Sequence, residues 1–331
     1  MAKFADILND LVGRKEKELE KTYETIKSKK RGEKIPRKSL TELLEEESQE
    51  AKLLTGTLLD GIIGGGLNPK TSLLLYGEFG SGKTQTCFTM ATLCPDLVVY
   101  IDSEGTFRAE RIKEICETRG LDYQKVFDKI YLYRPNNWIE QMMLLSELPS
   151  PADVEGKVGL VILDSLTKLF RGVEFAGRQT LTVKQPMIRE CSLKLREYIK
   201  MHNAALIVTT QIYEDPESGV GGFMPDWVGQ KPVGGSSILH QEDYIIFLRK
   251  GQGNVRIARL LDASHQPLRE AAFCITEKGI ESLPETERAE KVIEKTEKYQ
   301  ENVEGALLKP VKKRKSEGEE DNGDKEEESE P

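Results

Sequence analysis

The chain has 331 residues and can therefore hold one large domain or two, with a sizeable apolar core. Its 48 Lys and Arg against 56 Asp and Glu give a net charge of −8, which offers no general attraction to nucleic acid and requires any such contact to come from a local patch. Five cysteines without metal or disulfide spacing, and the lack of a signal peptide or an apolar run of ~18 residues, indicate a soluble protein in a reducing, intracellular compartment.

Residues 1–52 are rich in Lys and Glu and are predicted to form a charged helical arm. The apolar residues of the first part recur at the spacing of one helix face: Phe4, Ile7, Leu8, Leu11 and Val12. Pro36 interrupts this pattern, and residues 38–52 are typical of a second charged helix. The apolar face would either dock on another subunit or on the core, or pack on its own domain with the charged face in solvent. The sequence leaves both open.

Residues 53–284 are predicted to form an α/β core. Short runs rich in β-branched residues are expected to be strands at 72–76, 97–101, 129–133, 160–163 and 205–209. They alternate with helical patterns at 84–93, 108–118, 138–148 and 185–201. This alternation indicates a mostly parallel, twisted sheet with helices on both faces. The runs 244–249, 255–261 and 272–276 follow with short turns, so we expect the C-terminal end of the sheet to be antiparallel.

The stretch LLLYGEFGSGK at 73–83 joins the first of these strands to the first helical pattern. The phosphate-loop pattern G-x-x-x-x-G-K-[ST] is matched without exception by Gly77, Glu78, Phe79, Gly80, Ser81, Gly82, Lys83 and Thr84. Glycines let the backbone turn its N–H groups inward at the positive end of the following helix, where they bind phosphate. Lys83 would contact the β- and γ-phosphates and Thr84 would bind Mg²⁺. The sequence therefore predicts a nucleoside triphosphate site with Mg²⁺; the alternative is a chance glycine-rich turn.

Three of the predicted strands end in polar residues at the edge where an open α/β sheet binds its ligand. Asp164 follows the strand 160–163 and is predicted to hold Mg²⁺, unless it caps the next helix. Glu104 lies just past the strand 97–101 and could accept a proton from an attacking water. Alternatively, Asp102 or Glu104 only fixes a turn. Gln211 follows the strand 205–209 and is predicted to sense the terminal phosphate and to pass its presence to the next segment.

The chain after residue 284 is almost wholly polar. Residues 285–308 are predicted to form a polar helix, and residues 309–331, which are basic and then acidic, are predicted to be disordered because they offer too little apolar surface to offset chain entropy. The basic cluster KKRK is a solvated charge run, a localisation signal or a nucleic-acid contact.

In chain order, the motifs of residues 53–280 are TG…LD…GGGL, GEFGSGKTQ, IDSEGTFRAERI, LVILDSLTKLFR, GRQTL, TTQ, KPVGGSSILH and RIARLLDASHQP. They resemble the ATPase core of the RecA/RadA recombinases, in the archaeal and eukaryotic branch. The resemblance implies a RecA-like P-loop NTPase core that hydrolyses ATP with Mg²⁺, and it extends the nucleotide site to Gln85. It implies that Glu104 is the catalytic glutamate, assisted by Lys83 and by Gln211 as the γ-phosphate sensor, and that Arg111 stacks on adenine.

Members of that family present two loops to single-stranded DNA. Residues 170–179 resemble the first loop, in which Arg171 and Arg178 would contact phosphates without reading the sequence. Residues 213–235 resemble the second, a long stretch without predicted secondary structure whose Phe223 would stack on bases. The alternative is that both are ordinary mobile surface loops, since Lys231 is the second loop's only cation.

The sequence departs from the family pattern in ways that bear on function. It shows neither the family's helix-hairpin-helix domain nor the Phe-x-x-Ala peptide that joins subunits, and Thr210 replaces the Asn that often precedes the sensing glutamine. We expect a DNA-dependent ATPase of recombination and repair, either a recombinase or an accessory paralogue, that associates with itself or with a RadA-type recombinase. A regulatory ATP-binding module acting through protein contacts is the alternative.

A ring-forming kinase or helicase shares the phosphate loop but does not account for GTFRAER followed by GRQTL. The family resemblance and the charged tail are compatible with two locations, the cytoplasm of an archaeon or the nucleus of a eukaryotic cell.

Overall fold

The computed structural model describes residues 38–171, 179–214, 230–233, 236–239, 241–263 and 266–283. The helix predicted near the N-terminus, the polar helix 285–308 and the tail 309–331 lie outside these ranges. The chain divides into two units, Met1–Ala51 and Lys52–Pro331. Within the described ranges, no helix has the length and apolar character needed to cross a membrane.

The described part of the first unit is the helix α1 (Leu40–Gln49), which lies within the predicted range 38–52. Ser39 caps its first turn: the Ser39 hydroxyl accepts a hydrogen bond from the amide of Glu42 at 3.2 Å, and the Glu42 carboxylate accepts one from the amide of Ser39 at 2.7 Å. This reciprocal arrangement satisfies two amides that the start of a helix leaves unpaired. None of the α1 residues is buried.

The second unit contains the sheet. Its strands are β1 (Ser72–Gly77), β2 (Leu97–Asp102), β3 (Ile130–Tyr133), β4 (Val158–Asp164), β5 (Ala205–Thr210), β6 (Ile212–Glu214), β7 (Gln230–Pro232), β8 (Tyr244–Lys250), β9 (Val255–Ala263), β10 (Glu270–Thr276) and β11 (Gly279–Ser282). Its helices are α2 (Leu58–Ile62), α3 (Lys83–Leu93), α4 (Ala109–Arg119), α5 (Tyr123–Phe127), α6 (Trp138–Glu147), α7 (Gln179–His202) and α8 (Ser236–Leu239), with a 3₁₀ turn at Lys168–Phe170.

Nine strands form one sheet in the order β11-β10-β9-β8-β1-β5-β4-β2-β3. The strands from β8 to β3 in this order run parallel to one another, while β9, β10 and β11 join antiparallel at the other end. This confirms the predicted fold class, a mostly parallel sheet with antiparallel strands at its C-terminal end. Because β1 lies in the middle, all six of its residues are buried.

Side chains that alternate along β1 enter two separate cores. Leu73 and Leu75 pack with residues of α3 and α4 on one face of the sheet. Leu74 and Tyr76 pack with residues of α6 and α7 on the other. A strand covered on both faces must be apolar at successive positions, which explains the uninterrupted run Leu73–Leu75. The second unit is therefore a three-layer arrangement with the carboxyl ends of its parallel strands at one edge.

The structure differs from the sequence prediction in several elements, which include the unpredicted short helices α2, α5 and α8. α7 begins at Gln179, well before the predicted residue 185, and continues through Pro186. The short strand β11 was not predicted from the sequence. It is stabilised by pairing with β10, for example between Ile275 and Ile280. The segment 213–235 is not without secondary structure throughout, since its ends pair as the antiparallel strands β6 and β7.

Candidate nucleotide-binding site

The backbone of residues 77–84 connects β1 to α3 along a path that only glycine allows at several points. A Cβ at Gly77 would lie 2.0 Å from the carbonyl oxygen of Leu248, and Gly80 and Gly82 have φ angles of +74° and +102°. Gly82 is the N-cap of α3, which receives no hydrogen bond from a capping side chain. Amides at such an uncapped helix start are donors suited to phosphate oxygens. The loop therefore fits the triphosphate that the motif predicts.

Lys83 lies in the first turn of α3 and is 8% exposed. Its ammonium donates hydrogen bonds to the carbonyl oxygens of Gly77 and Glu78, each at 2.8 Å. Burial lowers the pKa of Lys83, and the nearby carboxylates of Asp164 and Glu104 oppose that shift. The Lys83 ammonium also donates to the Ser81 hydroxyl at 3.4 Å, and a polyphosphate anion would stabilise this buried cation further.

Asp164, the last residue of β4, accepts hydrogen bonds from residues of β2, β5 and the helix α3. Its Oδ2 accepts hydrogen bonds from the hydroxyls of Thr84 at 2.7 Å and Tyr100 at 3.3 Å, and its Oδ1 accepts one from Thr209 at 2.5 Å. Burial raises the pKa of the Asp164 carboxyl, while the bonds from Thr209 and Thr84 oppose the increase. In the described part of the chain, Asp164 accepts these bonds from side-chain hydroxyls and none from a helix amide, which favours the metal-site prediction over the capping alternative. Thr84 and Asp164 offer the hydroxyl and carboxylate oxygens that Mg²⁺ prefers.

Asp102 and Glu104 have different roles in the fold. Asp102 is buried and accepts hydrogen bonds from the amides of Thr106 at 3.1 Å and Phe107 at 3.0 Å, so it fixes the turn after β2. Glu104 instead faces the cavity. Its Oε1 accepts a hydrogen bond from Ser165 at 2.6 Å, and Lys168 lies 3.6 Å from its Oε2. Of these two residues, Glu104 is the one that lines the cavity, and its role as the base that activates water stays a prediction.

These groups line one cavity of about 890 Å³. The predicted residues in its lining are Phe79, Gly80, Gly82, Lys83, Thr84, Gln85, Glu104, Arg111, Asp164 and Gln211. Gly77, Glu78 and Ser81 complete the phosphate loop without being part of the lining. A volume of this size is typical of a small-molecule or cofactor site.

Arg111 reaches the cavity from α4. Its Nε donates to Gln85 at 2.9 Å, its NH1 pairs with Glu114, and its NH2 donates to the carbonyl oxygen of Thr276. The guanidinium plane is thereby fixed at the wall formed by the β10–β11 turn. Its stacking on adenine stays a prediction.

Of the residues predicted to contact DNA, Arg171 follows the 3₁₀ turn and is exposed. Arg178 and Phe223 lie outside the described residues. Gln211 lies where the cavity meets the second predicted loop, because its carbonyl oxygen accepts a hydrogen bond from Val233 at 2.8 Å.

Sequence reasoning missed several residues of the site. Thr209 donates to the predicted metal-site carboxylate of Asp164, and Ser165 donates to the predicted catalytic carboxylate of Glu104. Arg256 of β9 lines the cavity and donates to the carbonyl oxygen of Gly80 at 2.8 Å. Thr209 and Ser165 adjoin residues that were predicted, so adjacency to a strand end was a usable signal. Nothing in the sequence near Arg256 indicates its place, since it reaches the loop through the pairing of β9 with β8 beside β1.

One comparison with known proteins bears on this site. A family model described as Rad51 matches residues 47–283, a range that contains the whole phosphate loop, both carboxylates and the described part of the sheet.

Proposed function

Since the chain belongs to the RecA/Rad51 recombinase family, whose members in general are DNA-dependent ATPases of recombination and repair, we propose that it hydrolyses ATP in this cavity and binds single-stranded DNA under the control of ATP. It does so either as a strand-exchange recombinase or as an accessory paralogue. The observation that carries the proposal is the convergence of Lys83, Thr84, Asp164 and Glu104 on one cavity.

Different residues of the site have different roles in the proposed hydrolysis. The amides of the phosphate loop and Lys83 bind and orient the phosphates, which supplies the positioning on which phosphoryl transfer mostly depends. Thr84 and Asp164 would hold Mg²⁺, which neutralises charge on the phosphates when bound. Glu104, held in place by Ser165, accepts a proton from the attacking water at its carboxylate.

ATP turnover with and without single-stranded DNA tests the proposal. We expect wild type to hydrolyse ATP and to be stimulated by DNA, and Lys83→Ala to lose turnover in both conditions. The matched control is Lys113→Ala, since the Lys113 ammonium lies over the ring of Tyr123 on α4 and α5, away from the cavity lining. Equal turnover in wild type and Lys83→Ala would refute the assignment.

A second function is favoured by the charge of the second predicted loop. Residues 213–235 contain Lys231 as their only cation, against Glu214, Asp215, Glu217 and Asp226. Such a segment attracts phosphate weakly, so the protein would instead be a regulatory ATP-binding module that modulates a recombinase through protein contacts.

Titration of labelled single strands at two salt concentrations separates the two functions. Contacts to phosphates release counterions, so DNA binding by the ATPase must weaken as salt rises. A measurable, salt-sensitive affinity supports the first function, and no measurable affinity supports the second. Electron microscopy with an ATP analogue and single-stranded DNA then distinguishes a helical polymer of the chain from discrete particles.

A further inference from the structure

Two buried hydroxyls join the segment that follows β4 to the last residue of β5. Thr167 is 1% exposed and Thr210 is 0% exposed, and their Oγ1 atoms lie 2.9 Å apart. Thr210 Oγ1 also donates to the carbonyl oxygen of Val233 at 3.1 Å. Each hydroxyl has one proton, so with the Thr210 proton on Val233, Thr167 is the donor to Thr210. The result is a continuous chain of hydrogen bonds from Thr167 to Val233.

Each end of this series of hydrogen bonds lies at the base of a predicted DNA-facing loop. The carbonyl oxygen of Thr167 accepts a hydrogen bond from the amide of Phe170 at 3.2 Å, in the 3₁₀ turn that leads into residues 171–179. Val233 follows β7, which pairs with β6 and so closes the base of the second loop. Thr210 is therefore hydrogen-bonded to Thr167, which precedes the first loop, and to Val233, which lies near the end of the second loop.

The same two strand ends also hold the nucleotide site. Thr209, next to Thr210, donates to Asp164 Oδ1, and its carbonyl oxygen accepts a hydrogen bond from the amide of Leu166 at 2.9 Å. On the other side of Thr210, Gln211 lines the cavity. A shift of either strand end on nucleotide binding must therefore move Thr167 and Thr210 together or break their bond.

We propose that the Thr167–Thr210 hydroxyl pair is a coupling junction that makes both loops respond to the nucleotide as one unit, with Thr210 as its positioning residue. This inference rests on the proposed function, because it concerns the ATP control of DNA binding. Neither threonine lines the cavity, so the junction acts on the coupling between two ligands and leaves the intrinsic affinity for ATP unchanged. Coupling between binding sites typically amounts to a factor of roughly 5 to 150 in affinity.

The test uses the full chain and measures the ratio of single-stranded DNA dissociation constants without and with a non-hydrolysable ATP analogue. Thr210→Val keeps the side-chain shape and removes the hydroxyl, and we expect it to reduce this ratio by about 5-fold or more. The dissociation constant for the analogue in the absence of DNA should stay within about 2-fold of wild type. Thr210→Ser, which restores the hydroxyl, should return the ratio to the wild-type value.

Two further variants separate coupling from general destabilisation. Thr167→Val removes the other hydroxyl. The double variant should be no worse than Thr210→Val alone, because Thr210→Val already breaks the Thr167–Thr210 bond. Thr92→Val is the matched control, since Thr92 is buried in α3 and donates to the carbonyl oxygen of Phe88 at 2.8 Å. Thermal unfolding of each variant reports whether it is folded.

A wild-type ratio in folded Thr210→Val or folded Thr167→Val, additive losses in the double variant, or an equal loss in Thr92→Val would overturn the junction while leaving the proposed function intact. If wild type itself showed no effect of the analogue on DNA affinity, the proposed function and the junction would both fail.

Discussion

Thr84 Oγ1 donates a hydrogen bond to Asp164 Oδ2 at 2.7 Å, across a sequence separation of 80 residues. Thr84 comes from the first turn of α3, and Asp164 ends β4, which is separated from β1 by β5. The bond shows that the sheet order places the phosphate loop beside the carboxylate of another strand. The site is thus a product of strand order.

Glu104→Gln should keep ATP binding and lose most hydrolysis. Glutamine has nearly the same shape but cannot accept the proton, and a positioned base contributes on the order of 10²–10⁴ in rate. Single-turnover hydrolysis and binding of an ATP analogue measure the two properties separately. Exposed Glu110→Gln in α4 is the control and should behave as wild type. Unchanged turnover in Glu104→Gln would leave Glu104 as a residue of the turn.

Asp102→Ala should destabilise the fold more than Glu104→Ala does. Removing the Asp102 carboxylate leaves the amides of Thr106 and Phe107 without their acceptor, which costs about 1–3 kcal/mol for a buried group. Glu104 accepts a hydrogen bond from one hydroxyl and no backbone amide in the described structure. Urea unfolding of both variants gives the two free energies of unfolding. The reverse order would contradict the assignment of Asp102 to the turn.

Gly77→Ala should unfold the phosphate loop region or the whole unit. The new Cβ would lie 2.0 Å from the backbone oxygen of Leu248, a contact that only movement of β8 could relieve, so we expect a loss of about 3 kcal/mol or more. Gly61→Ala is the control, because no atom lies within 4 Å of the added Cβ and Gly61 belongs to the helix α2. It should be neutral or gain up to ~1 kcal/mol. Thermal unfolding that ranks the two alike would refute the steric argument.

The stability of Glu242→Gln relative to wild type should increase as the pH rises. Burial raises the pKa of the Glu242 carboxyl, an effect that the hydrogen bond from Ser192 and the charge of Arg196 only partly oppose. A raised pKa means that the carboxyl stabilises the fold below its ordinary pKa and that this contribution is lost as the pH rises through the folded-state value. Melting temperatures measured from about pH 4 to about pH 8 should show the gap between variant and wild type widening.

The control for this experiment is Glu155→Gln. Glu155 is exposed, so its replacement should change the stability by less than about 0.5 kcal/mol at each pH. A constant difference in melting temperature between Glu242→Gln and wild type across the pH range would contradict the claim that burial raises the pKa of Glu242.

Local signals in the sequence were sufficient to identify several elements of the fold and the site. The glycines and Lys83 of the phosphate loop, the apolar strands that became β1, β2, β4 and β5, and the carboxylates that follow two of them were all identified, because each depends on backbone geometry or burial within a few neighbouring residues. The antiparallel end of the sheet was predicted from its short turns for the same reason.

Contacts between residues of different strands became known only from the folded structure. It assigned Asp102 to the turn and Glu104 to the cavity, brought Thr209 to Asp164 and Arg256 to Gly80, and joined Thr167 to Thr210. These contacts depend on strand order and register, which arise from the packing of the whole sheet. A hydroxyl or a guanidinium has no periodic signature in the sequence, and its partner is fixed only when distant strands pair.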